Sequence, residues 1–211
     1  MGKIIDISVS FPDKVIIYPG DPVPEIKTLR SQEEGDRSNF SIITTGTHSG
    51  THIDAPYHFL SSGPKIDEIP VDLWIGKAYV ADLTFVEECV RDSDLAGIPL
   101  GKYERILIKT KNSQLYSKTN EFCENFIYMH ESACKRIVDA GVKILGFDYT
   151  TVDKAGMGVF PAHKTLFAGN VCIIESVNLS EVDEGEYELI CLPLKLKGIE
   201  ASPVRAVLVK D

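Results

Sequence analysis

Residues 48–58 read HSGTHIDAPYH, so three of the chain's five histidines and one aspartate fall within eleven residues. Whether this stretch is helical or extended determines the kind of domain that carries it. His48 and His52 have the i, i+4 spacing of a helical metal motif, but Ser49, Gly50 and Thr51 stand between them and Pro56 follows. Gly and Pro oppose a helix interior by about 1 and about 3 kcal/mol respectively, so an extended or looped segment is expected. In an extended chain His48, His52, Asp54 and His58 share parity and point to one face. At about 3.3 Å per residue a straight strand would hold His48 and His52 about 13 Å apart, whereas two ligands of one ion lie within about 4 Å of each other. The backbone must therefore bend, and Gly46, Gly50 and Pro56 are placed to allow it.

Imidazole nitrogen and carboxylate oxygen are the donors that hold a hydrolytic divalent metal. His163 stands twelve residues before Glu175, which lies in the apolar run VCIIESV. A carboxylate in such a strand is costly unless paired with a charge or a metal; the alternative is an edge-strand glutamate facing solvent. With the first cluster, the inventory is four histidines and two carboxylates. That exceeds the three protein ligands usual for one catalytic zinc and points to two metals, or to one metal with a free acid/base. Asp148 and Asp153 read either as turn caps or as groups that orient a ligand histidine. His130 reads as structural or exposed, and Trp74, the only tryptophan, as core.

The rest of the chain sets the frame. Its 211 residues, 44% hydrophobic and 25% charged, suit a single globular domain spanning 1–211. Strand-like runs occur at Ile4–Val9, Val15–Tyr18, Phe40–Thr45, Lys77–Leu83, Ile106–Thr110, Val142–Phe147, Val171–Val177, Tyr187–Leu196 and Val204–Val209, rich in Val and Ile and punctuated by Gly, Pro and Asp. Ala133, Ile137 and Ala140 recur at helical spacing within Glu131–Ala140, which Gly141 ends. Shorter helical signals cover Asp92–Gly97 and Asn120–Asn125. Many strands and few helices predict an α/β or α+β domain with a mixed sheet.

A net charge of −9 argues against general binding to nucleic acid or to an anionic membrane. No segment approaches the roughly 20 apolar residues of a membrane span, and the N-terminus lacks the apolar core of a signal peptide. Five widely spaced cysteines without a CxxC pair read as free thiols, so a reducing, cytoplasmic setting is expected. There is no GxSxG elbow and no glycine-rich phosphate loop.

HSGTHIDAPYHF resembles the signature of the cyclase-type metal-dependent hydrolases, the family that includes bacterial kynurenine formamidases and isatin hydrolases. YPGDP (18–22), GFDYTTVD (146–153), HKTLF with VCIIESVNL, and LPLKLKGIEASPVRAVLV near the C-terminus follow the family pattern in order, so the likeness covers nearly the whole chain. The resemblance implies a swivelling β/β/α domain in a homo-oligomer, dimer or tetramer. It implies two divalent metal ions per subunit, zinc foremost and manganese in relatives. His48, His52 and Asp54 match ligands of the first metal; Asp54, His163 and Glu175 match those of the second; His58 matches the acid/base histidine. The implied reaction is hydrolysis of a small aromatic amide by attack of a metal-bound hydroxide, with N-formyl-kynurenine giving kynurenine and formate. Tyr18 stands where typical kynurenine formamidases have a substrate-contacting tryptophan. That departure keeps opening of a cyclic amide such as isatin as an alternative, beside a metal-binding protein without turnover.

Overall fold

The computed structural model describes residues 2–210. In chain order its strands are β1 (Lys3–Asp6), β2 (Glu25–Arg30), β3 (Phe40–Thr44), β4 (His52–Asp54), β5 (Ile75–Asp82), β6 (Cys89–Val90), β7 (Arg105–Lys109), β8 (Tyr128–Met129), β9 (Ile144–Phe147), β10 (Cys172–Glu175), β11 (Gly185–Pro193) and β12 (Ala201–Lys210). The helices are α1 (Leu115–Lys118), α2 (Glu131–Asp139) and α3 (Pro161–Ala168), joined by several single 3-10 turns. The main sheet runs β12-β11-β5-β7-β9-β10-β4, and β4 pairs back onto β12, so these strands close into a barrel with β1 added along β12. The run β5-β7-β9-β10 is parallel and the remaining pairings are antiparallel, a mixed sheet as expected.

Period-2 alternation assigns the two faces of this sheet. Ile53, Val80, Leu107, Ile144, Ile174, Leu189, Cys191, Ala206 and Leu208, drawn from every strand of the ring, fill the barrel. A Cβ at Gly146, which also faces inward, would come within 2.7 Å of Leu107 Cγ, so the interior is packed without slack there. The intervening residues, among them Ala81, Ile106, Ile108, Leu145, Phe147 and Ile173, face outward and bury against Ala133, Cys134 and Ile137 of α2 and Ala162, Leu166 and Phe167 of α3. Fully burying each such large aliphatic side chain contributes about 1.5–3 kcal/mol. Trp74 is core, 1% exposed, and the five cysteines are free.

Several sequence expectations shift. Val15–Tyr18 forms no strand; Val15 and Ile16 are apolar because they pack into the core. The signal at Asn120–Asn125 forms no helix, and the short α1 precedes it. Asp92–Leu95 is a single 3-10 turn. The helix from Glu131 is present, with Gly141 at φ +81° just beyond its end. Two elements carry no clear local signal. α3 lacks a capping residue of its own at Phe160, and its first amides are capped by Asp153 from nine residues upstream. β2 pairs with β3 as a separate hairpin whose strand residues are all exposed, so no buried face patterns it.

Candidate metal centre

The site is organised around β4, which lies between β10 and β12. In register, His52 opposes Glu175 on β10, and Asp54 opposes Ala201 on β12. Ile53 points into the barrel, so His52, Asp54 and Glu175 project together from the outer face. There they meet His163, in the first turn of α3. His48 reaches the same cluster from the loop before β4. Gly50 makes the bend between the two histidines at φ +69°, a left-handed conformation that favours glycine. The parity argument holds only within the strand: His58 arrives by way of the 3-10 turn Pro56–His58.

The distances define a compact arrangement. Asp54 Oδ1 is 2.9 Å from His48 Nδ1 and 3.2 Å from His52 Nε2, and its Oδ2 is 3.6 Å from His163 Nε2. Glu175 lies 3.5 Å from His52 Nε2 and 3.3 Å from His163 Nε2. The donor atoms of His52, Asp54 and Glu175 lie within 4.8 Å of one another, and so do those of His48, Asp54 and His58. Asp54 belongs to both sets. His58, matched by its motif to an acid/base, therefore also stands in a donor's position beside His48 and Asp54. Its ring centre is 4.2 Å from that of His48.

Hydrogen bonding on the far side of two rings fixes which nitrogen faces the cluster. His52 Nδ1 is 2.8 Å from the Gly50 carbonyl oxygen, which can only accept, so the ring's N–H points there and Nε2 presents a lone pair inward. His163 Nδ1 is 2.6 Å from Asp153 Oδ2, with the same consequence. Asp153 thus does both things foreseen for it: its carboxylate accepts the amides of Ala162 and His163 and also orients the His163 ring. The result is a set of buried acceptors facing one another. His52 Nε2, His163 Nε2 and both oxygens of Asp54 have no hydrogen-bond partner. Buried polar atoms are otherwise almost always satisfied, and divalent cations bound here would satisfy them.

Electrostatics agree. Burial presses the His52 imidazole toward neutrality, yet Asp54 and Glu175 outweigh it and lift its pKa to about 10. His163 is likewise held well above its ordinary value against burial by Asp153, Asp54 and Glu175. Burial would raise the Asp54 carboxyl, but His48, His52 and His163 draw it well below the usual carboxylate range. The cluster calls for positive charge: without a metal, protons on His52 and His163 supply it, and a divalent ion would take the place of those protons at the inward Nε2 atoms. His58 differs: burial pushes it down to about 4, so it is a neutral imidazole near pH 7.

Above the cluster lies a cavity of about 200 Å³, lined by His48, Asp54, His58, His163 and Glu175 together with Tyr18, Asp21, Thr150, Thr151 and Phe160. The Tyr18 ring stands edge-on to Phe122 at 5.4 Å, and Phe160 packs on Phe59 at 4.8 Å. Asp21, Thr150, Thr151 and Phe160 were not singled out from sequence. The signal for the threonines was their position after β9, because loops at the carboxyl ends of parallel strands carry the sites of α/β sheets. Asp148 and His130 stand outside the cluster. Asp148 ties Thr110 to Ser113, and His130 Nδ1 caps α2 by accepting the Ser132 amide.

The outer face of the sheet thus carries a His/Asp/Glu cluster whose donor atoms could hold a metal ion. A family model described as putative cyclase matches residues 5–154, and the chain belongs to that family. A kynurenine formamidase of Bacillus anthracis is 33% identical over 206 residues, 98% of this chain and 97% of the relative. Among solved structures, a predicted metal-dependent hydrolase from Bacillus stearothermophilus superposes with a TM-score of 0.84 at 32% identity, over 99% of this chain and 98% of that one. Isatin hydrolase A from Labrenzia aggregata shares the fold, with a TM-score of 0.81 at 20% identity over 99% and 94% of the two chains. The chain is a hydrolase.

Proposed function

We propose that the chain is a metal-dependent amidohydrolase acting on an aryl formamide, with N-formyl-kynurenine, giving formate and kynurenine, as the leading substrate. The observation that carries this reading is the convergence of unsatisfied buried acceptors on the floor of a cavity walled by aromatic rings. Similarity to the Bacillus anthracis kynurenine formamidase supports the substrate class. His48, His52 and Asp54 would hold one divalent ion and Asp54, His163 and Glu175 a second, with zinc the first choice and manganese the other. Such ions, when bound, supply Lewis acidity that lowers the pKa of water toward 7 and favours negative charge on a carbonyl oxygen.

The chain's own residues do the rest. Tyr18 and Phe160 offer faces and edges for an aryl ring, which sets the scissile carbonyl over the cluster. His58, neutral and facing the cavity, takes the proton of the attacking water and passes it to the departing nitrogen, so the C–N bond breaks without expelling an amide anion. Asp153 keeps His163 in one tautomer and one orientation.

The same reading takes the fold as a swivelling β/β/α domain spanning 1–211 and the protein as a cytoplasmic homo-oligomer, dimer or tetramer. The β2–β3 hairpin supports assembly. Ile26, Leu29, Phe40, Ile42 and Ile43 on it are exposed, and an isolated two-stranded hairpin is marginally stable in water. Among the described residues no helix is long and apolar enough to cross a membrane.

Tyr18, on the cavity wall where typical kynurenine formamidases have a tryptophan, favours one second reading, opening of a cyclic amide such as isatin. The test is to strip the protein with a chelator, restore zinc or manganese, and assay N-formyl-kynurenine, N-formylaniline and isatin in parallel. The proposal expects metal-restored cleavage of the formamides in preference to isatin. Full activity in verified metal-free protein, or turnover of isatin alone, would contradict it.

A further inference from the structure

Three imidazoles surround Asp54, and a neutral imidazole carries one N–H that needs an acceptor. For His52 that acceptor is the Gly50 carbonyl, and for His163 it is Asp153. His48 Nδ1 faces Asp54 Oδ1 at 2.9 Å, and if that nitrogen and that oxygen both turn to a metal, the ring's N–H must find its acceptor on the other side. The ring's Nε2 points that way, toward Glu200 Oε1 at 3.3 Å.

Glu200 is held firmly enough for this contact to matter. It immediately precedes Ala201, the β12 residue paired with Asp54. Its backbone carbonyl accepts the Ala55 amide at 2.8 Å, which locks Glu200 to the end of β4. Its Oε1 also accepts the Thr47 hydroxyl at 2.6 Å, which fixes the side chain from the residue next to His48. Glu200 is only partly exposed, with 30% of its side chain accessible.

We propose that Glu200 is a positioning residue for the metal centre. It accepts the Nε2–H of His48 and so presents the Nδ1 lone pair of that ring beside Asp54. The three histidines then share one plan: each far nitrogen is tied to a different acceptor, and each near nitrogen is left bare toward the same carboxylate cluster. Partners of this kind fix the tautomer and raise ligand basicity, and losing one typically costs about 10–100-fold in metal affinity. The inference rests on the reading of His48 as a ligand, so the test must separate the two.

The experiment is competition of zinc between a chelator and the chelator-stripped full-length protein, read for wild type, His48→Ala, Glu200→Ala, Glu200→Gln and Thr47→Val, with the melting temperature of each metal-free form recorded. Glu200→Ala should bind zinc about 10–100-fold more weakly, while Glu200→Gln, which keeps an oxygen acceptor, should recover most of that loss. Thr47→Val, which loosens Glu200 without removing it, should lie between wild type and Glu200→Ala. In the zinc-loaded protein, nitrogen-15 NMR should report His48 protonated at Nε2 and ligated through Nδ1. Wild-type zinc affinity in Glu200→Ala, or a His48 ring protonated at Nδ1 with zinc bound, would overturn the proposal. So would a zinc deficit that Gln fails to reduce. If His48→Ala itself retains wild-type affinity, the ligand assignment beneath the proposal fails instead.

Discussion

Asp54 and Asp148 are both completely buried carboxylates on the same sheet scaffold, 0% exposed, yet their surroundings are opposite. Asp148 accepts from the amides of Thr110 and Ser113 and from both of their hydroxyls, at 2.7–3.0 Å. Asp54 has no hydrogen-bond partner for either oxygen and looks across at imidazole nitrogens, two of which are likewise unpartnered. The first is a tie: it joins the loop after β7 to the end of β9, and Ser113 Oγ in turn accepts the Leu179 amide. The second is a socket. Burial alone is therefore a poor guide to function, and the supply of donors around the buried group separates the two roles.

The largest effect that could break this contrast is at Asp54 itself. Asp54→Asn should reduce hydrolysis to background and abolish tight zinc binding in a chelator competition. Near pH 7 the metal-free protein should also melt lower, because the carboxylate that draws charge onto His52 and His163 is gone. Tight zinc binding retained in Asp54→Asn would show that Asp54 is no part of the socket. His58→Ala should come next, lowering kcat by about 10²–10⁴-fold, the usual contribution of a positioned acid/base. Zinc content by mass spectrometry should stay near wild type. If zinc is lost as fully as in His52→Ala, His58 is a ligand, which its place beside His48 and Asp54 permits.

The reciprocal experiment is at Asp148. Asp148→Ala strands several donors and should lower the free energy of unfolding in urea by about 3 kcal/mol, leaving zinc affinity within a few-fold of wild type. Asp153 joins both kinds of role, because it caps α3 and orients His163. Asp153→Asn should therefore cost about 10–100-fold in zinc affinity with a smaller fall in melting temperature than Asp148→Ala.

Much of the socket was legible because its parts are local. His48, His52, Asp54 and His58 sit in one stretch, and Gly50, one of the residues placed to allow the bend that the distance argument demands, makes it in a left-handed conformation. His163 and Glu175 were legible as an unusual pair, a carboxylate in an apolar strand and a histidine ahead of it. What sequence could not show depends on contacts between distant residues. The cap of α3 comes from Asp153, so the helix has no start signal of its own. Closure of the sheet depends on β4, three residues long, pairing with both β10 and β12. Glu200 meets His48 from 152 positions away along the chain and carries no mark in its own neighbourhood. Tyr18 was found by its motif, and its place on the cavity wall follows from a fold that brings the segment before the β2–β3 hairpin over β4.

The central claim is that the unsatisfied acceptors around Asp54 exist to hold divalent cations. Calorimetric titration of zinc into chelator-stripped protein tests it most directly. The account predicts saturable, tight binding approaching two ions per chain, with release of protons from the imidazoles and a rise in melting temperature. Absence of saturable binding at micromolar zinc, in protein shown to be folded, would contradict it.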